Sequence, residues 1–138
     1  MLAKDILIDQ ARAVRERAYA PYSHFQVGAC IESKNGNVYV GCNVENASYG
    51  LTVCAEANAI AAMVAGGEHE IVQMVVVIEG PGVSSCCGAC RQRLNEFTDP
   101  EALIHFCDLV GNVKTLQFQD LFPYPFGPQD LSKRVITS

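Results

Sequence analysis

The sequence predicts an α/β fold in which helices cover both faces of a five-stranded sheet, a three-layer α-β-α sandwich. Segments with helical and strand-like patterns alternate along the chain. The segment IVQMVVVI at 71–78 is apolar at nearly every position, which indicates a central strand covered on both sides. The 138 residues, of which 49% are hydrophobic, suit one domain that spans residues 1–138.

The first third of the chain predicts a helix followed by a hairpin. Apolar residues mostly three or four positions apart indicate an amphipathic helix over residues 4–19, which the segment APYS ends. Residues 26–33 and 37–43 have strand patterns, and Asn35-Gly36 between them is a strong hairpin signal.

The middle of the chain predicts helix, strand, helix. Residues 54–65 are rich in alanine and apolar on nearly all sides, so we expect a buried helix that ends at Gly66-Gly67. The central strand at 71–78 comes next. Residues 89–97 have a helical pattern, and Asp99-Pro100 is expected to break that helix.

Two more strands complete the predicted sheet. They cover residues 102–108 and 112–118, with a turn at Gly111-Asn112. The last segment, 121–132, is rich in proline and aromatic residues and is expected to be irregular.

Composition disfavours several functional classes. The formal net charge is −5 and lysines and arginines do not cluster strongly, which disfavours nucleic acid as a partner. No apolar run approaches the ~18 residues of a membrane span, and the N-terminus lacks a signal-peptide pattern. Seven cysteines, an odd number, suggest thiols or metal ligands in a reducing compartment, so we expect a cytoplasmic protein.

The cysteines near two predicted helix starts admit three interpretations. Cys87-x-x-Cys90 alone could be a redox dithiol, but this leaves Cys54 and Glu56 without a role. A structural zinc site needs four protein ligands, and Cys42 or Cys86 could supply the fourth. A catalytic zinc site needs three protein ligands and keeps one position open.

A catalytic zinc site would give a role to all three candidate cysteines, Cys54, Cys87 and Cys90, and also to Glu56. The order C-x-E…C-C-x-x-C resembles the H-x-E…P-C-x-x-C signature of zinc nucleobase deaminases in its three-cysteine form. Helix N-termini favour thiolates, because the free N–H groups and the helix dipole stabilise negative charge. Glu56 follows Cys54 by two residues and can face the open position without binding the metal.

Longer segments extend this resemblance over nearly the whole chain. AYAPYSHFQVGA, GCNVENASYG, CAE, CGACRQ and FGPQDL together resemble the small, homotetrameric, zinc-dependent cytidine deaminases. The resemblance implies a five-stranded mixed sheet, one Zn²⁺ per chain, and hydrolytic deamination of cytidine or deoxycytidine in pyrimidine salvage. It further implies a homotetramer with sites at subunit interfaces, and neither nucleic acid nor membrane as a partner.

The resemblance also implies a role for individual residues. Glu56 would move protons between water and the cytosine ring, while Asn43 and Glu45 would hold the ribose hydroxyls. Phe25 would line the pyrimidine pocket, and Phe126 would reach a neighbouring subunit's site. The implied metal ligands are Cys54, Cys87 and Cys90; the implied substrate-binding residues are Phe25, Asn43, Glu45, Tyr49, Ala55 and Phe126, with Tyr49 also at a subunit contact.

Two positions depart from the family pattern. Cys86 stands where the proline before C-x-x-C is usual, and Ala57 stands where an arginine usually follows the glutamate. That arginine is thought to moderate the thiolate charge, a task left to Arg91. The departures leave open the same chemistry on a modified cytidine or nucleoside antibiotic. They also leave open a non-catalytic zinc or nucleoside-binding protein, and Cys86 as a fourth ligand.

Overall fold

The computed structural model describes residues 1–131. It contains three main helices, five strands, a 3-10 turn and a short helix after β5, and residues 128–131 are helical as well, in a segment that was expected to be irregular. The described residues contain no helix of sufficient length and apolarity to cross a membrane. The elements are α1 (Lys4–Arg15), β1 (Gly28–Ser33), β2 (Val38–Cys42), the 3-10 turn Tyr49–Leu51, α2 (Ala55–Ala65), β3 (Ile71–Val77), α3 (Gly88–Asn95), β4 (Thr98–Cys107), β5 (Val113–Gln117) and α4 (Phe118–Leu121).

The five strands form one mixed sheet in the order β2-β1-β3-β4-β5. The pairs β1–β2, β1–β3 and β4–β5 are antiparallel, whereas β3 and β4 are parallel. A parallel pair needs a crossover connection, and α3 provides it. The predicted five-stranded mixed sheet is therefore confirmed.

Alternating side chains of the sheet enter two separate cores. On one face, Val75 and Val77 pack with Leu7 and Ala11 of α1. On the other face, Met74 belongs to a larger core that includes residues of α2 and α3. This alternation explains why β3 is apolar at nearly every position, and it confirms the three-layer arrangement.

Two glycines allow helices to lie directly on the hairpin. A Cβ at Gly28 would lie 2.0 Å from the carbonyl oxygen of Ala11 in α1. A Cβ at Gly41 would lie 2.3 Å from the backbone nitrogen of Ala59 and 2.5 Å from the carbonyl oxygen of Ala55, both in α2. No other residue fits at either crossing without displacing a helix.

The structure corrects two predicted boundaries. The first helix ends at Arg15, not at residue 19, because the backbone of Tyr19 pairs with Asn43 and Glu45 on the segment after β2. The fourth strand begins at Thr98 and includes Asp99-Pro100, which was expected to separate helix from strand. The pair lies exposed at the start of β4, where a missing backbone donor is tolerated.

Candidate metal centre and nucleoside pocket

The starts of α2 and α3 bring two cysteine side chains together. Cys54 is the N-cap of α2, and its Sγ accepts a hydrogen bond from the backbone N–H of Ala57 at 3.4 Å. Cys90 lies in the first turn of α3 and is buried. The two Sγ atoms are 2.7 Å apart although 36 residues separate them in sequence.

Glu56 completes a cluster of three potential metal ligands. Its carboxylate and the two sulfurs all lie within 4.8 Å of one another. The Glu56 side chain is buried, unlike an ordinary charged residue on a helix surface. Thiolates with a nearby carboxylate are a donor set suited to zinc, so the residues present fit this ion.

The surroundings change the proton affinity of all three groups. The contact with Cys90 lowers the pKa of the Cys54 thiol to about 6, and the same contact raises the pKa of Cys90. One proton is therefore shared between the two sulfurs. Burial raises the pKa of Glu56 above its usual range, so this carboxyl group takes up a proton more readily than an exposed one.

The two neighbouring cysteines lie outside this cluster. Cys87, a sequence-predicted ligand, is the exposed N-cap of α3, three residues before Cys90. Cys86 is buried, and burial raises the pKa of its thiol to about 11, so it remains protonated at neutral pH. Among the described residues, Cys86 does not belong to the group of side chains whose ligand atoms converge.

Arg93, not Arg91, lies against the clustered sulfurs. The Nη1 of Arg93 is 3.7 Å from Cys54 Sγ and 3.8 Å from Cys90 Sγ. Arg91 instead donates from Nη2 to Ser85 Oγ at 3.0 Å. The structure thus brings Arg93 rather than Arg91 to these sulfurs, because residues three apart on a helix share a face and adjacent residues do not. The spacing of Arg93 from Cys90 was the signal available in the sequence.

Glu45 lies in a cavity of about 290 Å³ that is lined by Tyr22, Ser23, Glu45, Tyr49 and Thr52. Its Oε1 accepts hydrogen bonds from the backbone N–H groups of Tyr22 and Ser23, both at 3.1 Å, and Oε2 accepts one from the Ser23 hydroxyl. The Ser23 bonds lower the pKa of Glu45, so the carboxylate is held charged and oriented in the cavity.

Asn43 is buried, and both polar ends of its side chain contact the backbone of the segment before β1. Its Oδ1 accepts from the N–H of Val27 at 2.9 Å, and its Nδ2 donates to the carbonyl oxygen of Phe25 at 2.8 Å. The ring of Phe25 itself is 48% exposed. Asn43 therefore fixes the position of Phe25, a structural task that the sequence pattern did not indicate.

The other three expected substrate contacts lie in different environments. Ala55 is fully buried as the first residue of α2. Tyr49 is 74% exposed, and its ring packs edge-on against Tyr22. Phe126 is about half exposed, and its carbonyl oxygen accepts hydrogen bonds from two side chains of α3, those of Gln92 and Asn95.

Comparison with known protein families gives a match over most of the chain. Residues 3–106 match the family described as "Cytidine and deoxycytidylate deaminase zinc-binding region". These residues include the thiol cluster, Glu56 and Glu45. The match therefore covers the candidate metal centre and all five residues that line the cavity described above.

Individual relatives align along nearly their entire length. The cytidine deaminase of Sporosarcina psychrophila is 38% identical over 126 residues, which cover 91% of this chain and 93% of the relative. That of Mycobacterium tuberculosis is 40% identical over 116 residues, or 84% of each chain. The crystal structure of cytidine deaminase from Burkholderia pseudomallei superposes with a TM-score of 0.87 at 42% identity, covering 91% of this chain and all of that one.

Proposed function

The chain belongs to the cytidine and deoxycytidylate deaminase family, and we propose that it hydrolyses cytidine or deoxycytidine to the uridine nucleoside and ammonia in pyrimidine salvage. The single observation that carries this proposal is the buried carboxylate of Glu56 beside two converging thiols. A structural zinc site has no use for such a carboxylate, whereas hydrolysis needs a group that moves protons next to the metal.

We assign the metal to Cys54, Cys87 and Cys90. Cys54 and Cys90 already converge, and Cys87 lies at the start of the same helix as Cys90. These three thiolates would hold the ion, and three protein ligands rather than four are the number that catalytic zinc sites use. When bound, zinc supplies the Lewis acidity that makes water a nucleophile at neutral pH.

Glu56 carries the protons of the reaction. Its carboxylate takes one proton from the attacking water and delivers it to ring nitrogen 3 of the cytosine as the new C–O bond forms at carbon 4. The second proton of the former water then passes to the amine, and the C–N bond breaks to release ammonia. A carboxyl group whose pKa is raised by burial suits this transfer, since it takes up a proton more readily than an exposed carboxyl group does.

The cavity around Glu45 is our proposed binding site for the sugar. Its oriented carboxylate can accept hydrogen bonds from ribose hydroxyls, and Asn43 holds the adjacent segment that carries Phe25. The residues that line the cavity include no lysine or arginine. A nucleoside therefore suits this cavity better than a nucleotide, whose phosphate would face the Glu45 carboxylate.

Absorbance measurements with a matched variant test this function. We expect loss of the cytidine band on incubation with the zinc-loaded protein, faster with cytidine or deoxycytidine than with deoxycytidylate or N4-substituted cytidines. Glu56→Gln should abolish the change while retaining about one zinc per chain. Turnover confined to modified cytidines would overturn the proposed substrate. Equal turnover by Glu56→Gln would overturn the proposed mechanism.

We propose a homotetramer with sites at subunit interfaces, and an exposed apolar patch supports self-association of the chain. Tyr19 pairs with Val44 and Val44 with Val53, which ties three segments into one surface beside the Glu45 cavity. A second copy of the chain is the expected occupant, because such patches mark association surfaces and self-association is the commonest form. The patch consists of Tyr19, Tyr22, Phe25, Val44, Tyr49, Leu51 and Val53, each at least 39% exposed.

Light scattering on the purified protein tests the assembly. We expect the mass of four chains for the unchanged protein and a smaller mass for Tyr49→Glu combined with Leu51→Glu. A monomeric mass for the unchanged protein would contradict the proposal. We also infer a cytoplasmic location from the composition, since seven unpaired thiols suit a reducing compartment.

A further inference from the structure

The guanidinium of Arg93 bridges the two helix starts that form the metal centre. Its Nη1 approaches Cys54 Sγ, which belongs to the cap of α2, and Cys90 Sγ, which belongs to α3. Arg93 follows Cys90 by three residues, so the helix geometry itself directs the side chain to this position. The Arg93 side chain is largely exposed and reaches the sulfurs from the solvent side.

The negative charge of the metal centre gives a functional role to the contact between Arg93 and the two sulfurs. Three thiolates carry one more unit of negative charge than one Zn²⁺ neutralises. The Glu56 carboxylate brings further negative charge within 4.8 Å of the Cys54 and Cys90 sulfurs. Hydrogen bonds from a cation to a thiolate reduce the electron density that the sulfur donates to its metal.

Arg91, although adjacent, is not placed to share this task. Its Nη2 bonds Ser85 and its Nε is buried with no partner among residues 1–131. The two arginines of the same helix therefore form a matched pair: both carry one charge, but Arg93 is the one in contact with the Cys54 and Cys90 sulfurs.

We propose that Arg93 is a positioning residue that neutralises part of the thiolate charge at the metal centre and thereby sets the electron donation from Cys54 and Cys90 to zinc. This inference rests on the proposed zinc site. It assigns no contact with the substrate to Arg93.

Cobalt substitution tests the proposal without relying on activity. Co²⁺ bound to thiolates gives a sulfur-to-metal charge-transfer band, whose energy falls when the sulfur becomes more electron-rich. In Arg93→Gln we expect this band to move to lower energy and the affinity for Co²⁺ and Zn²⁺ at neutral pH to fall about 10- to 100-fold. Arg93→Lys should retain most of both properties, and Arg91→Gln should leave the band in place.

Each result decides a separate question. An unshifted band and unchanged affinity in Arg93→Gln, or an equal shift in Arg91→Gln, would overturn the role of Arg93. Absence of any thiolate band in the unchanged protein would instead overturn the zinc site itself. Loss of metal by Arg93→Gln with a native circular dichroism spectrum, together with metal retention by Arg93→Lys, would support the proposal.

Discussion

At the scale of single residues, the metal centre depends on one carboxylate and two thiols whose pKa values are shifted from their ordinary ranges. Burial raises the pKa of Glu56, while the shared proton lowers that of Cys54 to about 6. The two shifts have opposite consequences: Cys54 is prepared to bind a metal as a thiolate, and Glu56 is prepared to take up a proton.

Replacement of Glu56 by glutamine should abolish proton transfer but leave metal binding intact. The amide keeps the size and burial of the side chain but cannot accept the proton from water, so we expect kcat to fall by about 10²- to 10⁴-fold or more. The zinc content and the thermal unfolding midpoint should stay close to those of the unchanged protein. Steady-state kinetics and metal analysis on one preparation check this; a loss of zinc would instead make Glu56 a ligand.

Replacement of Asn43 by alanine should act mainly through the fold. Two hydrogen bonds to the backbone at Phe25 and Val27 are lost and leave partly buried backbone groups unpaired, which costs about 1–3 kcal/mol of unfolding free energy. Denaturant unfolding measures this loss. Glu45→Gln is the control: it should raise KM for cytidine with a smaller effect on stability. If Asn43→Ala raised KM without destabilising the protein, ribose binding would be its main role.

Sequence reasoning identified the chemistry of these residues better than their contacts. Cys54, Glu56 and Cys90 were predicted from type and spacing, and the fold brings them together. The family pattern CRQ points to Arg91 as the cation beside the sulfurs, whereas the helical spacing from Cys90 points to Arg93, whose Nη1 lies near both sulfurs. The backbone contacts of Asn43 depend on the path of residues 25–27, which has no periodic pattern to reveal it.

At the scale of elements, the position of α2 on the sheet determines where Cys54 and Glu56 lie. Gly41 of β2 is the point of closest approach, since its Cα hydrogen faces the backbone of Ala55 and Ala59. Because a Cβ there would overlap backbone atoms, relief requires α2 to move as a whole. A side chain at position 41 would therefore also displace Cys54 and Glu56 at the metal centre.

Gly41→Ala should destabilise the protein by about 1–3 kcal/mol and also weaken zinc binding. Gly28→Ala is the matched control, because it makes an equally close contact with α1 on the opposite face of the sheet. We expect a similar loss of stability but little change in zinc affinity for Gly28→Ala. Chemical unfolding and chelator competition on both variants check this; equal effects on zinc affinity would refute the special role of Gly41.

The order and type of elements could be predicted because burial imposes clear patterns on them. The apolar run of β3 and the alanine-rich α2 are both explained by the two cores on either side of the sheet. The end of α1 could not be predicted, since Tyr19 leaves the helix to pair with a segment 24 to 26 residues later in the chain. Long-range backbone pairing of this kind leaves no local signal.

At the scale of the whole molecule, a buried polar network ties the N-terminus to four strands. His105 contacts Gln73 Oε1 through Nε2 at 2.9 Å and Thr115 Oγ1 through Nδ1 at 2.8 Å. Gln73 donates to Glu32 at 2.7 Å, and Glu32 accepts from the backbone N–H of Leu2 at 3.0 Å. The network therefore links β5, β4, β3, β1 and the chain start.

This network predicts a loss of stability in mild acid. Burial lowers the pKa of His105, so the folded state favours the neutral ring. Below the ordinary histidine pKa of about 6.5 the unfolded chain binds the proton more readily, and stability falls as pH decreases through the lowered folded pKa. His105→Gln should be less stable at pH 7 but lose less further stability on acidification than the unchanged protein.

Denaturant unfolding at several pH values between 7 and 5 measures this difference. When the unfolding free energies of the two proteins are compared at each pH, the contributions of titrating groups that both contain, including the thiols, cancel. The exposed His69→Gln variant should show the same pH dependence as the unchanged protein. Parallel curves for the His105→Gln variant and the unchanged protein would contradict the prediction.

The convergence of Cys54 and Cys90 from helices far apart in sequence couples folding to the supply of zinc. An ion that binds only the folded chain stabilises it by mass action, by about 2.7 kcal/mol at a hundredfold excess over its Kd. Free zinc then determines the fraction of chains that are folded at a given temperature. Cells short of zinc would lose this protein to proteolysis as well as losing its activity, so its abundance would report on metal nutrition.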